Sequence, residues 1–122
     1  MPELVCRRGE VWLVNFNPGR GSEQQGMRPA LILQNDVGNQ YAATTIIAAI
    51  TTTLRPYPVT VVVAPPDGGL AAPSMVNCAQ LLTIDKSRLL QRLGALRRET
   101  LHQVDTALMV SLGVRSPARR HT

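Results

Sequence analysis

The 122 residues carry 13 basic against 8 acidic side chains, a net charge of +5, and 44% of them are hydrophobic. Length and apolar content define one globular domain and exclude a disordered chain. No apolar run approaches a membrane span, and the first ten residues lack the apolar core of a secretory signal, so a cytoplasmic protein is expected.

Residues 11–16, rich in β-branched and aromatic side chains, read as the first strand and stop at the turn signal Asn17-Pro18-Gly19. Residues 19–26, with three glycines and five polar or charged side chains, form a loop. A short second strand occupies 30–34, opened by Pro29, which has no N–H for a ladder. Residues 35–39, Asn-Asp-Val-Gly-Asn, read as a turn cluster. A third, largely apolar strand covers 43–50 and runs into Thr51-Thr52-Thr53. The fourth, 59–63, lies between prolines 56, 58, 65 and 66, followed by a turn at Asp67-Gly68-Gly69. Residues 75–84 form the fifth strand, Asp85-Lys86 turns the chain, and 89–96 make the sixth. The period then changes: Leu101, Val104, Leu108 and Leu112 recur at helical spacing from about residue 99, and Gly113 stops the helix. Short strands with Gly/Pro turns and one terminal helix predict a mainly β fold with α, a small β-barrel capped by a C-terminal helix. Residues 1–114 form the domain. Residues 115–122 are expected to be a basic, disordered tail.

Arg115, Arg119 and Arg120 lie in that tail and leave only +2 on residues 1–114, so individual arginines say more about phosphate binding than net charge does. There is no glycine-rich P-loop with its lysine, and no cluster of His and carboxylates at ligand spacing; no metal and no cofactor is expected. Cys6 and Cys78 neither pair for a metal nor make a disulfide framework. His102 falls on the helix and His121 in the tail, so two histidines are not held at one cleft for acid–base work. The densest polar segment is 21–29, and in it Arg28 places a charge between a glycine loop and a buried strand. Arg28 reads either as a strand-entry side chain reaching solvent or as a guanidinium fork held beside a loop that binds phosphate oxygens. Thr51 sits at the end of a strand that could lie nearby and, taken singly, reads as a β-former at a strand end.

Five blocks resemble the MazF/PemK toxins of type II toxin–antitoxin systems. They are Arg8-Gly9-Glu10-Val11-Trp12-Leu13-Val14, Gly21-Ser22-Glu23-Gln24-x-Gly26-x-Arg28-Pro29, Gln34-Asn35-Asp36-Val37-Gly38-Asn39, Ile46-Ile47-Ala48-Ala49-Ile50-Thr51 and Gln80-Leu81-Leu82-Thr83-Ile84-Asp85-Lys86. They occur in order from about residue 7 to 112.

The resemblance implies an SH3-like, CcdB/MazF-like barrel and a homodimer. It implies an endoribonuclease (an mRNA interferase) that cuts single-stranded RNA at short sequences and is blocked by an acidic, MazE-like antitoxin. The family route needs no metal: the RNA 2′-hydroxyl attacks the adjacent phosphate, leaving a 2′,3′-cyclic phosphate and a 5′-hydroxyl. Arg28 and Thr51 would be the catalytic pair, with Glu23 the nearby carboxylate able to share proton transfer. Gly21, Ser22, Glu23 and Gln24 would line the RNA, with Gln80 near the same groove. Ala79 stands where many relatives carry an acid, which bears on substrate contacts at Gln80. Two further readings of the same fold stay open: a CcdB-like gyrase poison, and an inactive RNA-binding barrel.

Overall fold

The computed structural model describes residues 5–17, 26–55 and 57–114. Among these residues six strands form one antiparallel sheet: β1 (Glu10–Asn15), β2 (Met27–Ile32), β3 (Thr44–Thr51), β4 (Thr60–Val63), β5 (Ser74–Asp85) and β6 (Leu89–Ala95). Their order is β4-β5-β3-β2-β1-β6. The described residues also contain two helices, α1 (Asp36–Tyr41) and α2 (Arg98–Leu112), and 3-10 turns at Asp67–Gly69 and Lys86–Arg88. The mainly β class with a C-terminal helix is the one the sequence predicts. The expected tail, residues 115–122, lies outside the described residues.

The pairing ladder does not close into a full barrel, since β4 and β6 are its two edges. The ends approach another way. After β4 the chain enters the turn Asp67–Gly69, which packs on β6 so closely that a Cβ at Gly69 would lie 1.9 Å from the Leu93 carbonyl oxygen. Across that contact a Cβ at Gly94 would sit 2.7 Å from the Gly68 carbonyl carbon, so backbone meets backbone with no room for side chains.

Alternation along the strands separates two apolar clusters. Val11, Leu31, Ala48, Ile50, Val76 and Cys78 pack toward Val104 and Ala107 of α2. Trp12, Val14, Ala30, Ile32, Ile47 and Ile84 form the cluster on the other face. Helix α2 buries Val104 and Ala107 with Leu101 and Leu108 partly covered, whereas Leu112, on the stripe read from the sequence, is exposed. Gly113 ends the helix at φ 69°, a left-handed conformation that leaves its N–H on the Val110 carbonyl. The N-terminus of α2 is capped from a distance, because Arg97 at the cap position makes no side-chain capping bond. Instead the buried Asp67 carboxylate accepts from the Arg97 N–H at 2.8 Å and from the Thr100 hydroxyl at 2.5 Å. Burial pushes the Asp67 carboxyl up, but the bonds from Thr100 and Arg97 outweigh it and hold the group below the usual aspartate value.

Two sequence expectations are corrected. The cluster at 35–39 is not a turn: Asn35 accepts from the Gly38 N–H and caps the short helix α1. What secures so short a helix is tertiary. Buried Asn39 bonds the Gln34 carbonyl and side chain and accepts from the Thr45 hydroxyl, while Lys86 donates to its carbonyl. The second strand, expected at 30–34, begins at Met27, so Arg28 lies inside β2 rather than before it. The β2–β3 ladder still starts only at Ala30, one residue past the proline that has no N–H to give.

Candidate functional site

The site builds from the central strands outward. In the β2–β3 ladder Ile32 faces Ile47, Leu31 faces Ala48 and Ala30 faces Ala49. Carrying that antiparallel register two residues further sets Arg28 opposite Thr51, and by alternation both side chains share the face of Ala30 and Ala49. In a regular ladder such a pair has Cβ atoms roughly 4.5–5.5 Å apart. The ladder ends at Ala30 and Ala49, and Arg28 and Thr51 each lie two residues beyond it, where β2 and β3 no longer bond each other. Flanking pairings extend the row, since Arg28 is opposite Val14, Val14 opposite Leu89, and Thr51 opposite Met75. This is the face away from α2. Below the pair, Ala30 and Ala49 are buried and small; above it, Arg28 is exposed and Thr51 half-buried.

Thr51 Oγ1 accepts from the Thr53 N–H at 3.1 Å, which orients the hydroxyl and leaves its own hydrogen to donate. The chain then turns back, and the Arg55 N–H contacts Met75 Sδ at 3.4 Å, so a second arginine starts beside the same row. The carboxylate of β5, Asp85, faces Thr44 at the opposite end of β3.

Gln80 lies in a bulge of β5. Ala48 faces Leu81 but Ala49 faces Asn77, so three residues, Cys78 to Gln80, are inserted opposite one step of β3. An odd insertion reverses the alternation: Val76 and Cys78 face α2, whereas Leu82 and Ile84 face the other way. The bulge is fixed by the Ser111 hydroxyl donating to the Cys78 carbonyl and by the Cys78 N–H donating to the Val59 carbonyl, both at 2.8 Å. Ala79 and Gln80 are left exposed. Cys78 itself is enclosed, and burial pushes its thiol up to about 11, so it stays protonated at neutral pH.

Gly21, Ser22, Glu23 and Gln24, the expected loop residues, lie outside the described residues. The loop's two ends are described. The Phe16 N–H donates to the Gly26 carbonyl and the Gly26 N–H to Asn17 Oδ1, both at 2.9 Å. Arg88, just before the neighbouring strand β6, joins them, donating from Nη1 to the carbonyls of Asn15 at 3.0 Å and Asn17 at 2.7 Å. Arg88 carries no signal in the sequence because its bonds are to backbone carbonyls of residues distant along the chain.

The remaining motif residues build the fold. Glu10 accepts from the Trp12 indole, the Arg7 N–H and Arg92 Nε. Burial raises its carboxyl, but these bonds prevail and hold it below the usual glutamate range. Arg8 ties the Leu33 carbonyl to Asp105 of α2. His102 is exposed on α2, away from both clusters. Among the described residues no three His, Cys, Asp or Glu side chains converge.

These elements define a class: a small β-domain with a helix on one face and, on the other, a cationic mouth carrying a hydroxyl, chemistry suited to a phosphate ester. Residues 7–112 match the family described as PemK-like, MazF-like toxin of type II toxin–antitoxin system. The chain is similar in structure to an endoribonuclease from a mycobacterial species, with 28% identity, a TM-score of 0.78, and 93% of this chain and 97% of that one covered. It is similar to a mycobacterial endoribonuclease solved in complex with its cognate antitoxin, with 29% identity, a TM-score of 0.79, and 92% and 99% covered. It is also similar to MazF from Deinococcus radiodurans, with 27% identity, a TM-score of 0.78, and 91% and 99% covered. The chain belongs to the PemK-like, MazF-like toxin family.

Proposed function

We propose that this toxin is a metal-independent endoribonuclease that cuts single-stranded RNA at short specific sequences, with Arg28 and Thr51 as its catalytic pair. What supports the reading is the β2–β3 register: its last pair is Ala30 with Ala49, and Arg28 and Thr51 each lie two residues beyond that pair on the two strands. The RNA 2′-hydroxyl attacks the adjacent phosphorus, the bond to the 5′-oxygen breaks, and the proton lost from the 2′-oxygen is balanced by one gained at the leaving oxygen. The products are a 2′,3′-cyclic phosphate and a 5′-hydroxyl. No protein nucleophile is required. The protein supplies donors where charge builds on phosphorus: the Arg28 fork in two directions and the Thr51 hydroxyl in one, each worth about 3–4 kcal/mol when preorganised.

Glu23 is the candidate for sharing proton transfer, because a guanidinium group is a donor with no acceptor and makes a poor base. Gly21, Ser22, Gln24 and Gln80 are the candidate RNA contacts. Single strands are preferred because the attacking and leaving oxygens must align, which A-form geometry opposes and a splayed strand permits. By the same reading the toxin acts in the cytoplasm as a homodimer, exposed Val110, Leu112 and Val114 giving the end of α2 apolar surface for a second copy. A cognate acidic antitoxin competes with RNA phosphates for the site arginines; a mycobacterial neighbour was solved in complex with its own cognate antitoxin.

The test is to incubate purified protein with mixed-sequence RNA in EDTA and map the ends, with a gyrase supercoiling assay alongside. The expected result is cleavage at recurrent short sequences, with 5′-hydroxyl and cyclic phosphate ends and gyrase unaffected. Intact RNA, 5′-phosphate ends or a requirement for added metal would overturn the proposal.

A further inference from the structure

Beside the proposed catalytic pair lies a further arginine, Arg88, whose hydrogen bonds among the described residues go to the protein's own backbone carbonyls. Arg88 ends the 3-10 turn before β6, and its Nη1 donates to two carbonyls of another strand's end, Asn15 and Asn17. Those residues close a chain of contacts. Asn15 Oδ1 accepts from the Asn17 N–H at 2.9 Å, Asn17 Oδ1 accepts from the Gly26 N–H, and the Phe16 N–H reaches the Gly26 carbonyl. Asn15 is also the β-partner of Met27, the residue before Arg28, and Leu89, next to Arg88, faces the Val14 that faces Arg28. One guanidinium group therefore ties together β6, the end of β1 and the start of β2, in the rows that contain and adjoin Arg28.

From this geometry we infer that Arg88, acting through Asn17 and Gly26, is a positioning residue that holds Arg28 in register with Thr51. The inference rests on the reading of Arg28 and Thr51 as the reacting pair. The physical need is specific. The β2–β3 ladder has already ended at Ala30, so β3 does not fix the backbone of Arg28 by ladder bonds. One restraint comes from the β1 side, where Val14 faces Arg28, and β1 itself ends at Asn15. A strand end frays unless something holds its last carbonyls, and Arg88 holds those of Asn15 and Asn17. A single donor group reaching two carbonyls two residues apart fixes both position and direction of the chain, which one bond does not do.

The effect belongs to the reaction rate rather than to RNA affinity. Arg28 keeps its charge wherever its backbone drifts, so attraction to RNA survives. Its alignment on phosphorus does not, and a misplacement of about an ångström at a reacting centre costs on the order of a hundredfold.

The experiment has two arms on the full chain. In the first, single-turnover cleavage is measured for Arg88→Ala, Arg88→Lys and Arg28→Lys, and for Arg88→Ala combined with Arg28→Lys. Arg88→Ala should slow cutting about ten- to a hundredfold with RNA affinity within about threefold of wild type. Arg88→Lys, which keeps a charged donor able to reach a carbonyl, should restore part of the loss. In the Arg28→Lys background Arg88→Ala should cost less than about threefold more, because a residue acting through another has nothing left to position. Losses that multiply would overturn the inference, since general destabilisation acts in any background; so would an Arg88→Ala protein cutting at the wild-type rate.

The second arm needs no activity. Amide hydrogen exchange at Gly26 should speed at least about tenfold in Arg88→Ala while Ala30 and Ile32 stay protected. Unchanged Gly26 exchange would refute the clamp. A wild-type protein that cuts no RNA, with Gly26 exchange still accelerated in the variant, would refute the ribonuclease reading and leave the clamp standing as structure.

Discussion

Replacing Thr51 by valine separates catalysis from stability, because the two effects differ by several-fold in energy. Valine keeps the β-branch and nearly the volume, so the end of β3 and its pairing with Met75 are preserved. What is lost is Oγ1. Its acceptor role serves the exposed Thr53 N–H at 3.1 Å, a bond that water can replace, so its removal costs about 0.5–1 kcal/mol at most. For a domain of this size that lowers the melting temperature by no more than about 5 °C. The donor role is larger. A preorganised donor on a developing oxyanion contributes about 2.7–4 kcal/mol, so Thr51→Val should slow cleavage about a hundred- to a thousandfold. Thr51→Ser keeps the hydroxyl and should cut within about threefold of wild type, with a small loss of strand propensity. The assay is single-turnover cleavage of end-labelled RNA at saturating protein, with melting followed by circular dichroism. Thr51→Val cutting within threefold of wild type would refute the donor role, and a collapse of the melting temperature would refute the assignment of Thr51 as structurally dispensable.

Three further predictions concern the frame and the tail. Asp67→Ala should destabilise by about 3 kcal/mol, since it uncaps α2 and strands the buried Thr100 hydroxyl; the exposed Arg97 side chain contributes little. Equilibrium urea unfolding measures this, and a loss under about 1 kcal/mol contradicts it. Because Glu10 and Asp67 both have lowered folded pKa values, their stabilisation is complete above the unfolded values, near 4, and is lost as pH falls below them. Melting temperature should therefore drop on acidification below about pH 4, and Glu10→Gln should flatten that dependence. Deleting residues 115–122, with three arginines, should weaken RNA binding mildly at low salt and leave the cut sequence unchanged; a new cleavage pattern would show that the tail reads bases.

The strands were legible because their apolar runs are long and Gly/Pro turns bracket them, as at Thr44–Thr51 and Ser74–Asp85. Helix α2 was legible from its period and from Gly113. Helix α1 was not. Its residues, Asp-Val-Gly-Asn-Gln-Tyr, favour a turn, and the bonds that hold Asn39 come from Gln34, Thr45 and Lys86. Arg28 and Thr51 could be singled out, but not the β2–β3 register that ends two residues short of each, since register is set by pairing rather than by composition. The bulge at Gln80 and the Arg88 contacts carry no local signal: Arg88 reaches residues 73 and 71 positions away.

The central claim is that Arg28 acts on the transition state through its two-pronged donor geometry, and Arg28→Lys tests it most directly. Lysine keeps the positive charge and loses the fork. RNA binding, titrated under conditions that block cutting by 2′-deoxy substitution at the scissile nucleotide, should stay within about threefold of wild type, while the single-turnover rate falls by about a hundredfold or more. An Arg28→Lys protein that cuts at the wild-type rate would show that Arg28 is only a positive charge at the mouth of β2 and β3, and the account of the site would be wrong.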